Sequence, residues 1–85
     1  MATFVTQTQL EPILLDVKGL ACPMPLLKAK KTLNEMAPAE LLRVLATDPG
    51  SVRDFEVFSQ QSGNQLLESR QEGDTYIYLI RKKTA

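Results

Sequence analysis

Gly19-Leu20-Ala21-Cys22-Pro23-Met24-Pro25-Leu26-Leu27 decides how the chain is read. It sets the only cysteine directly before two prolines and an apolar-periodic run. Proline suits the first position of a helix, where its fixed φ is already helical and its missing N–H would have no partner anyway. A helix is therefore expected from Pro23, with Pro25 still inside its first turn and Cys22 as the N-cap residue. The sulfur would then sit at the positive end of the helix dipole, beside unpaired amides such as that of Met24.

That position bears on reactivity, because the thiolate is the nucleophile and helix N-termini lower a cysteine pKa. Lys18, Lys28, Lys30 and Lys31 add positive charge, and no acid stands between residues 17 and 34. A free cysteine is more commonly a small buried hydrophobe. Ser, Thr, Asp or Asn would cap this helix better, however, so the use of a poor capper indicates that the sulfur itself is wanted.

Outward from this stretch, Ile13-Leu14-Leu15-Asp16-Val17 reads as a short strand with Ile13, Leu15 and Val17 on one face. Lys18 to Ala21 form the turn that delivers the cysteine, and Gly19 supplies backbone freedom there. Leu26, Ala29, Leu33 and Met36 recur at three- and four-residue steps and make the buried stripe of a helix from Pro23 to about Met36. Lys31 and Glu35 lie four apart on another face. After a stop at residues 37–40, Leu41 to Ala46 is almost continuously apolar, as a central strand requires. Asp48 then reads as the N-cap and Pro49 as the first residue of a second helix, about 49–61, with Val52, Phe55 and Ser59 inward, Phe58 at the margin and Val57 outward. Ser62-Gly63-Asn64 ends it.

Residues 65–71 and 75–82 form a hairpin across Glu72-Gly73-Asp74. The last strand is apolar on both sides, and one open sheet face is expected to carry Tyr76 or Tyr78 as ordinary surface tyrosines. The order is βαβαββ. Right-handed crossovers give an α/β protein, in detail an α+β two-layer sandwich, with a four-stranded mixed sheet and two helices on one face. Residues 1–11, polar and rich in Thr and Gln, are expected to be a flexible N-terminal tail, and 12–83 a single domain.

Composition narrows the chemistry. Eighty-five residues make one small domain, 44% hydrophobic and 24% charged. Ten Lys and Arg balance ten Asp and Glu, so no global field draws nucleic acid. One cysteine allows no internal disulfide, and with no histidine neither a cysteine-rich metal site nor Ser-His-Asp or Cys-His catalysis can form within one chain. No metal or cofactor is expected. The first eleven residues lack a basic segment followed by an apolar run, and no stretch has transmembrane length, so a reactive thiol in a reducing cytoplasm is the expected setting.

Leu15-Asp16-x-x-Gly19-Leu20-x-Cys22-Pro23-x-Pro25-Leu26-Leu27, followed by Lys30-Lys31 and by Thr47-Asp48-Pro49, resembles the TusA/SirA sulfur carriers. The resemblance runs from about Leu14 to Lys83. It implies the two-layer fold, and a Cys-Pro-x-Pro cysteine that carries a persulfide sulfur from one protein to the next. Carried over to this chain, Cys22 bears the persulfide, Gly19, Pro23, Pro25 and Asp48 support it, and Lys28, Lys30 and Lys31 meet a partner or an anion. The donor would be a cysteine desulfurase or rhodanese-like protein. Acceptors would serve tRNA thiolation, molybdenum-cofactor synthesis or other sulfur metabolism, without direct contact to nucleic acid or membrane. Members of the family often have Gly where Ala39 stands, and some in the tRNA pathway carry a further cysteine near Ser59 and a His where this chain has Asn64.

Two other classes compete. A small RNA-binding module would use Lys28, Lys30 and Lys31, but zero net charge and no exposed aromatic platform speak against it. A thiol-based regulatory protein would need a resolving cysteine, so only intermolecular disulfides would be open to it.

Overall fold

The computed structural model describes residues 11–84, so all but Glu11 of the tail expected at residues 1–11 lies outside the described residues. Six elements follow in order: β1 (Ile13–Asp16), α1 (Met24–Glu35), β2 (Leu41–Ala46), α2 (Ser51–Ser62), β3 (Gln65–Glu72) and β4 (Thr75–Arg81). They form one four-stranded sheet in the order β1-β2-β4-β3. β1 and β2 run parallel, and β4 is antiparallel to both its neighbours, which leaves β3 parallel to β2. Both crossovers thus join parallel strands and step in the same direction along the sheet. A common right-handed sense puts both helices on one face.

The register defines that face. Leu42, Val44 and Ala46 of β2 stand beside Ile80, Tyr78 and Tyr76 of β4, and the first five of these have no exposed surface or almost none. Against them pack Ala29 and Leu33 of α1, Phe55 of α2, and Val17 just beyond β1. Ala29 lets α1 approach closely. Leu26, Leu15, Val52, Phe58 and Leu66 close the margin, and Val57 is exposed as its place off the stripe requires.

The tyrosines depart from expectation. Tyr78 is fully buried under the helices and stacks on Phe55, with ring centroids 4.5 Å apart and 20° between planes. Its hydroxyl shares a 2.6 Å hydrogen bond with the buried Oγ of Ser51. Tyr76 packs partly against the same core. The face without helices carries Leu45, Ile77 and Leu79 instead, because Tyr78 pairs with Val44 and the alternation of β4 follows from that. Beside them on edge strand β3, Arg70 bridges Glu68 and Glu72, and such charge protects an exposed edge from pairing with another chain.

The connections are tied down locally. Gly63 ends α2 in the left-handed region at φ 85°, its N–H donating to the Ser59 carbonyl at 3.2 Å. Ala39 occupies the same region at φ 73°, which favours glycine over alanine. Its N–H donates to the Lys82 carbonyl at 2.9 Å, and the Lys82 N–H to the Glu40 carbonyl at 2.8 Å. No helix of the described residues is long and apolar enough to cross a membrane.

Candidate functional site

Cys22 lies in the connection between β1 and α1, exposed, and both helix starts differ from expectation. α1 begins at Met24, Pro23 holds the N-cap position without a side-chain cap, and Cys22 stands one residue earlier, across a cis bond to Pro23. The Met24 N–H, expected to be free for the sulfur, donates to the Ala21 carbonyl at 2.9 Å. Cys22 therefore belongs to a turn that closes before the helix opens. Pro25 occupies the second helical position, where it is buried and needs no intrahelical bond.

At α2 the N-cap position belongs to Gly50, again without a side-chain cap, and the helix starts at Ser51. Asp48 is not the N-cap: the Ser51 N–H donates to its backbone carbonyl at 3.0 Å, while its side chain points elsewhere. Asp48 Oδ2 is buried with no hydrogen-bond partner. A Cβ on Gly50 would lie 3.1 Å from that oxygen and 4.0 Å from the Cβ of Cys22. The Asp48-Pro49-Gly50 corner is thus the backing of the cysteine, and a side chain at Gly50 would crowd the Asp48 carboxylate.

Gly19 joins the two loops. At φ 86° it takes a conformation that favours glycine, and its N–H donates to Thr47 Oγ1 at 2.9 Å. Just upstream, the Lys18 N–H is held by Asp16 Oδ1 at 3.0 Å and the Val17 N–H by the Leu45 carbonyl at 2.8 Å. Together these bonds hold the cysteine turn at the end of β1 against the end of β2.

The partner of the sulfur comes from α2. Cys22 Sγ donates to Asp54 Oδ2 at 3.1 Å, across 32 positions of sequence. That hydrogen bond holds the thiol pKa above its ordinary value, with partial desolvation and the charges of Asp54 and Asp48 acting the same way. The lowered pKa expected from a helix start and flanking lysines is therefore overturned. The helix amide is engaged, and the charges acting on the thiol are carboxylates, not lysines. Lys30 Nζ lies 5.7 Å above the Phe58 ring, Lys18 pairs with Asp16 at 3.9 Å, and Lys28 and Lys31 are exposed.

Of the residues expected to support the cysteine, Pro23 adjoins it and Asp48 lies close enough for its charge to act on the thiol, while Gly19 bonds to Thr47 in the same connection and Pro25 is buried in the first turn of α1. Lys28, Lys30 and Lys31 lie on α1, and the charges that act on the thiol are those of Asp54 and Asp48. Asp54, Gly50 and Thr47 were not legible as site residues. The available signal was weak: an acid in the first turn of a second Pro-started helix. Exposed Met24 and Leu27 add apolar surface on the first turn of α1.

The chain and its fold have counterparts among known proteins. The family profile described as Sulfurtransferase TusA matches residues 13–82. The sulfur carrier protein TusA of Allochromatium vinosum is 56% identical over 68 residues, spanning 80% of this chain and 90% of its own length. A sulfur carrier protein TusA of Pseudomonas aeruginosa is 43% identical over 70 residues, spanning 82% of this chain and 89% of its own. The crystal structure of a SirA-like protein from Desulfitobacterium hafniense superposes with a TM-score of 0.74 at 26% identity, covering 84% of this chain and 97% of that one.

Proposed function

The chain belongs to the TusA family of sulfurtransferases, and from that premise we propose that Cys22 accepts a sulfane sulfur as a persulfide and relays it to an acceptor protein. The observation that carries this reading is the placement of the only thiol of the chain. It is exposed, in a turn fixed from three sides by Gly19, the Asp48–Gly50 corner and Asp54. Sulfur exchange asks for little else, since attacking and leaving atoms are both sulfur and an exposed sulfur is open to attack.

Pro23 and Pro25 limit the backbone freedom of the turn, so Sγ projects in a constant direction toward an incoming donor. The nearby carboxylates favour the protonated thiol, so the isolated protein is a slow nucleophile and gains speed only against a good sulfur donor. A cysteine desulfurase or rhodanese-like protein suits that role. Exposed Met24 and Leu27 with Lys28, Lys30 and Lys31 offer an apolar centre and a basic rim for docking both donor and acceptor. Acceptors in tRNA thiolation, molybdenum-cofactor synthesis or other sulfur metabolism share the need for such a relay, and the cytoplasm is its natural setting.

The test is a relay in two stages. The protein is loaded with radiolabelled sulfur from a desulfurase and cysteine, separated from the donor, and then treated with a reductant. Label should travel with the protein and leave on reduction, and Cys22→Ser should take none. Label that resists reduction, or loads the Ser variant equally, contradicts the reading.

A further inference from the structure

Resting on the carrier reading above, we propose that the Asp54 carboxylate biases the relay toward sulfur release, because its hydrogen bond with Cys22 exists only while Sγ carries a proton. In the unloaded protein Sγ donates to Asp54 Oδ2 at 3.1 Å. In the loaded protein Sγ is bonded to Cβ and to the outer sulfur and has no proton to give. The same oxygen then faces sulfur lone pairs, and the outer sulfur, more acidic than a thiol, brings a negative charge toward it.

Discharge to an acceptor thiol R–SH is written Cys22–S–SH + R–SH → Cys22–SH + R–S–SH. The bond between Sγ and the outer sulfur breaks, and its electron pair remains on Sγ. The outer sulfur forms its new bond to the acceptor sulfur. The acceptor's thiol proton ends on Sγ, where Asp54 accepts it in the hydrogen bond.

The charged surroundings act in the same sense. Facing Cys22 are Asp54 from α2 and Asp48 from the loop before it, whose Oδ2 is buried without a partner. Positive groups are turned to other tasks: Lys18 to Asp16, Lys30 to the Phe58 ring. Lys28 and Lys31 of α1 are exposed, as is Arg53 beside Asp54. A loaded carrier thus gives up a charge-assisted hydrogen bond and gains a repulsion; the bond is restored and the repulsion relieved when the sulfur leaves.

The intact protein is equilibrated with mixtures of glutathione and glutathione persulfide at neutral pH, and the loaded fraction is read by intact mass. Asp54→Asn keeps an acceptor of similar shape but removes the charge. Its equilibrium should move toward the loaded form by about two- to fivefold, the modest size reflecting solvent exposure. Iodoacetamide alkylation measured across pH should shift to a lower midpoint in the same variant, a readout that a merely structural role would leave in place. Asp54→Ser supplies a second charge-removing variant should the first fail to fold. Equal loading with an unmoved midpoint, or loading shifted the other way, overturns the proposal while the carrier reading stands. No sulfur on the wild type in any mixture overturns both.

Discussion

Replacing Tyr78 with Phe isolates the contribution of one buried hydrogen bond beneath the site. Tyr78 has no exposed surface, Ser51 is 2% exposed, and their oxygens are 2.6 Å apart. Phe retains the ring and its stack on Phe55, so the perturbation is confined to the hydroxyl. A neutral hydrogen bond contributes about 1 kcal/mol net, and a buried Ser51 Oγ left without a partner raises the loss to about 1–3 kcal/mol. In a domain of this size about 1 kcal/mol moves the midpoint by 4–8 °C, so thermal unfolding by circular dichroism should show Tm lowered by roughly 5–15 °C. Ser51→Ala should cost a comparable amount. The double variant should lose less than the sum of the two, because no polar group is then left unpaired. Burial also pushes the Tyr78 phenol above its ordinary value, the Ser51 hydrogen bond acting the other way. The folded state therefore holds this proton more tightly than the unfolded chain. Its stabilising contribution is whole below about pH 10 and is lost as pH rises through the higher folded value. Tyr78→Phe should remove that part of the alkaline sensitivity. A variant as stable as the wild type, with additive single changes, would refute the reasoning.

Three further outcomes are expected. Asp48→Ala should raise stability by about 1 kcal/mol, since the side chain caps nothing and its buried Oδ2 has no partner, while lowering the pH midpoint of Cys22 alkylation by removing a nearby charge; a loss of capping size in urea unfolding would contradict this. Ala39→Gly should stabilise by about 1 kcal/mol in the same assay, because φ 73° strains alanine and not glycine. Pro25→Ala should cost about 1–2 kcal/mol through lost burial and a freer unfolded chain, yet slow sulfur transfer by more than that loss explains; equal losses in both would make the proline purely architectural.

Much of the fold was legible because its signals are local. The apolar run Leu41 to Ala46 became the central strand, Leu26, Ala29 and Leu33 became the inner stripe of α1 with Met36 at its C-cap, and Gly73-Asp74 became the hairpin turn. The orientation of β4 was not, since a strand apolar on both sides carries no mark of which face is inward, and the pairing of Tyr78 with Val44 decides it. The site divides in the same way. Cys22 was singled out by its two prolines. Its acidity was misjudged because the deciding group, Asp54, lies 32 positions away, while Lys18 and Lys30, near Cys22 in sequence, are engaged with Asp16 and the Phe58 ring. Both helix caps were placed early for a related reason. A proline after a capping residue is also compatible with a turn that closes on the backbone carbonyl of Ala21 or Asp48 before the helix begins.

The account stands or falls on where the sulfur is held. After incubation with a cysteine desulfurase and cysteine, the protein is digested without reductant and its peptides are weighed. The peptide containing Cys22 should gain the mass of one sulfur atom, lose it on reduction, and show no gain in Cys22→Ser, whose chain has no other cysteine to take it. A native Cys22 that stays unmodified, and reacts only once the protein is unfolded, would contradict the central claim.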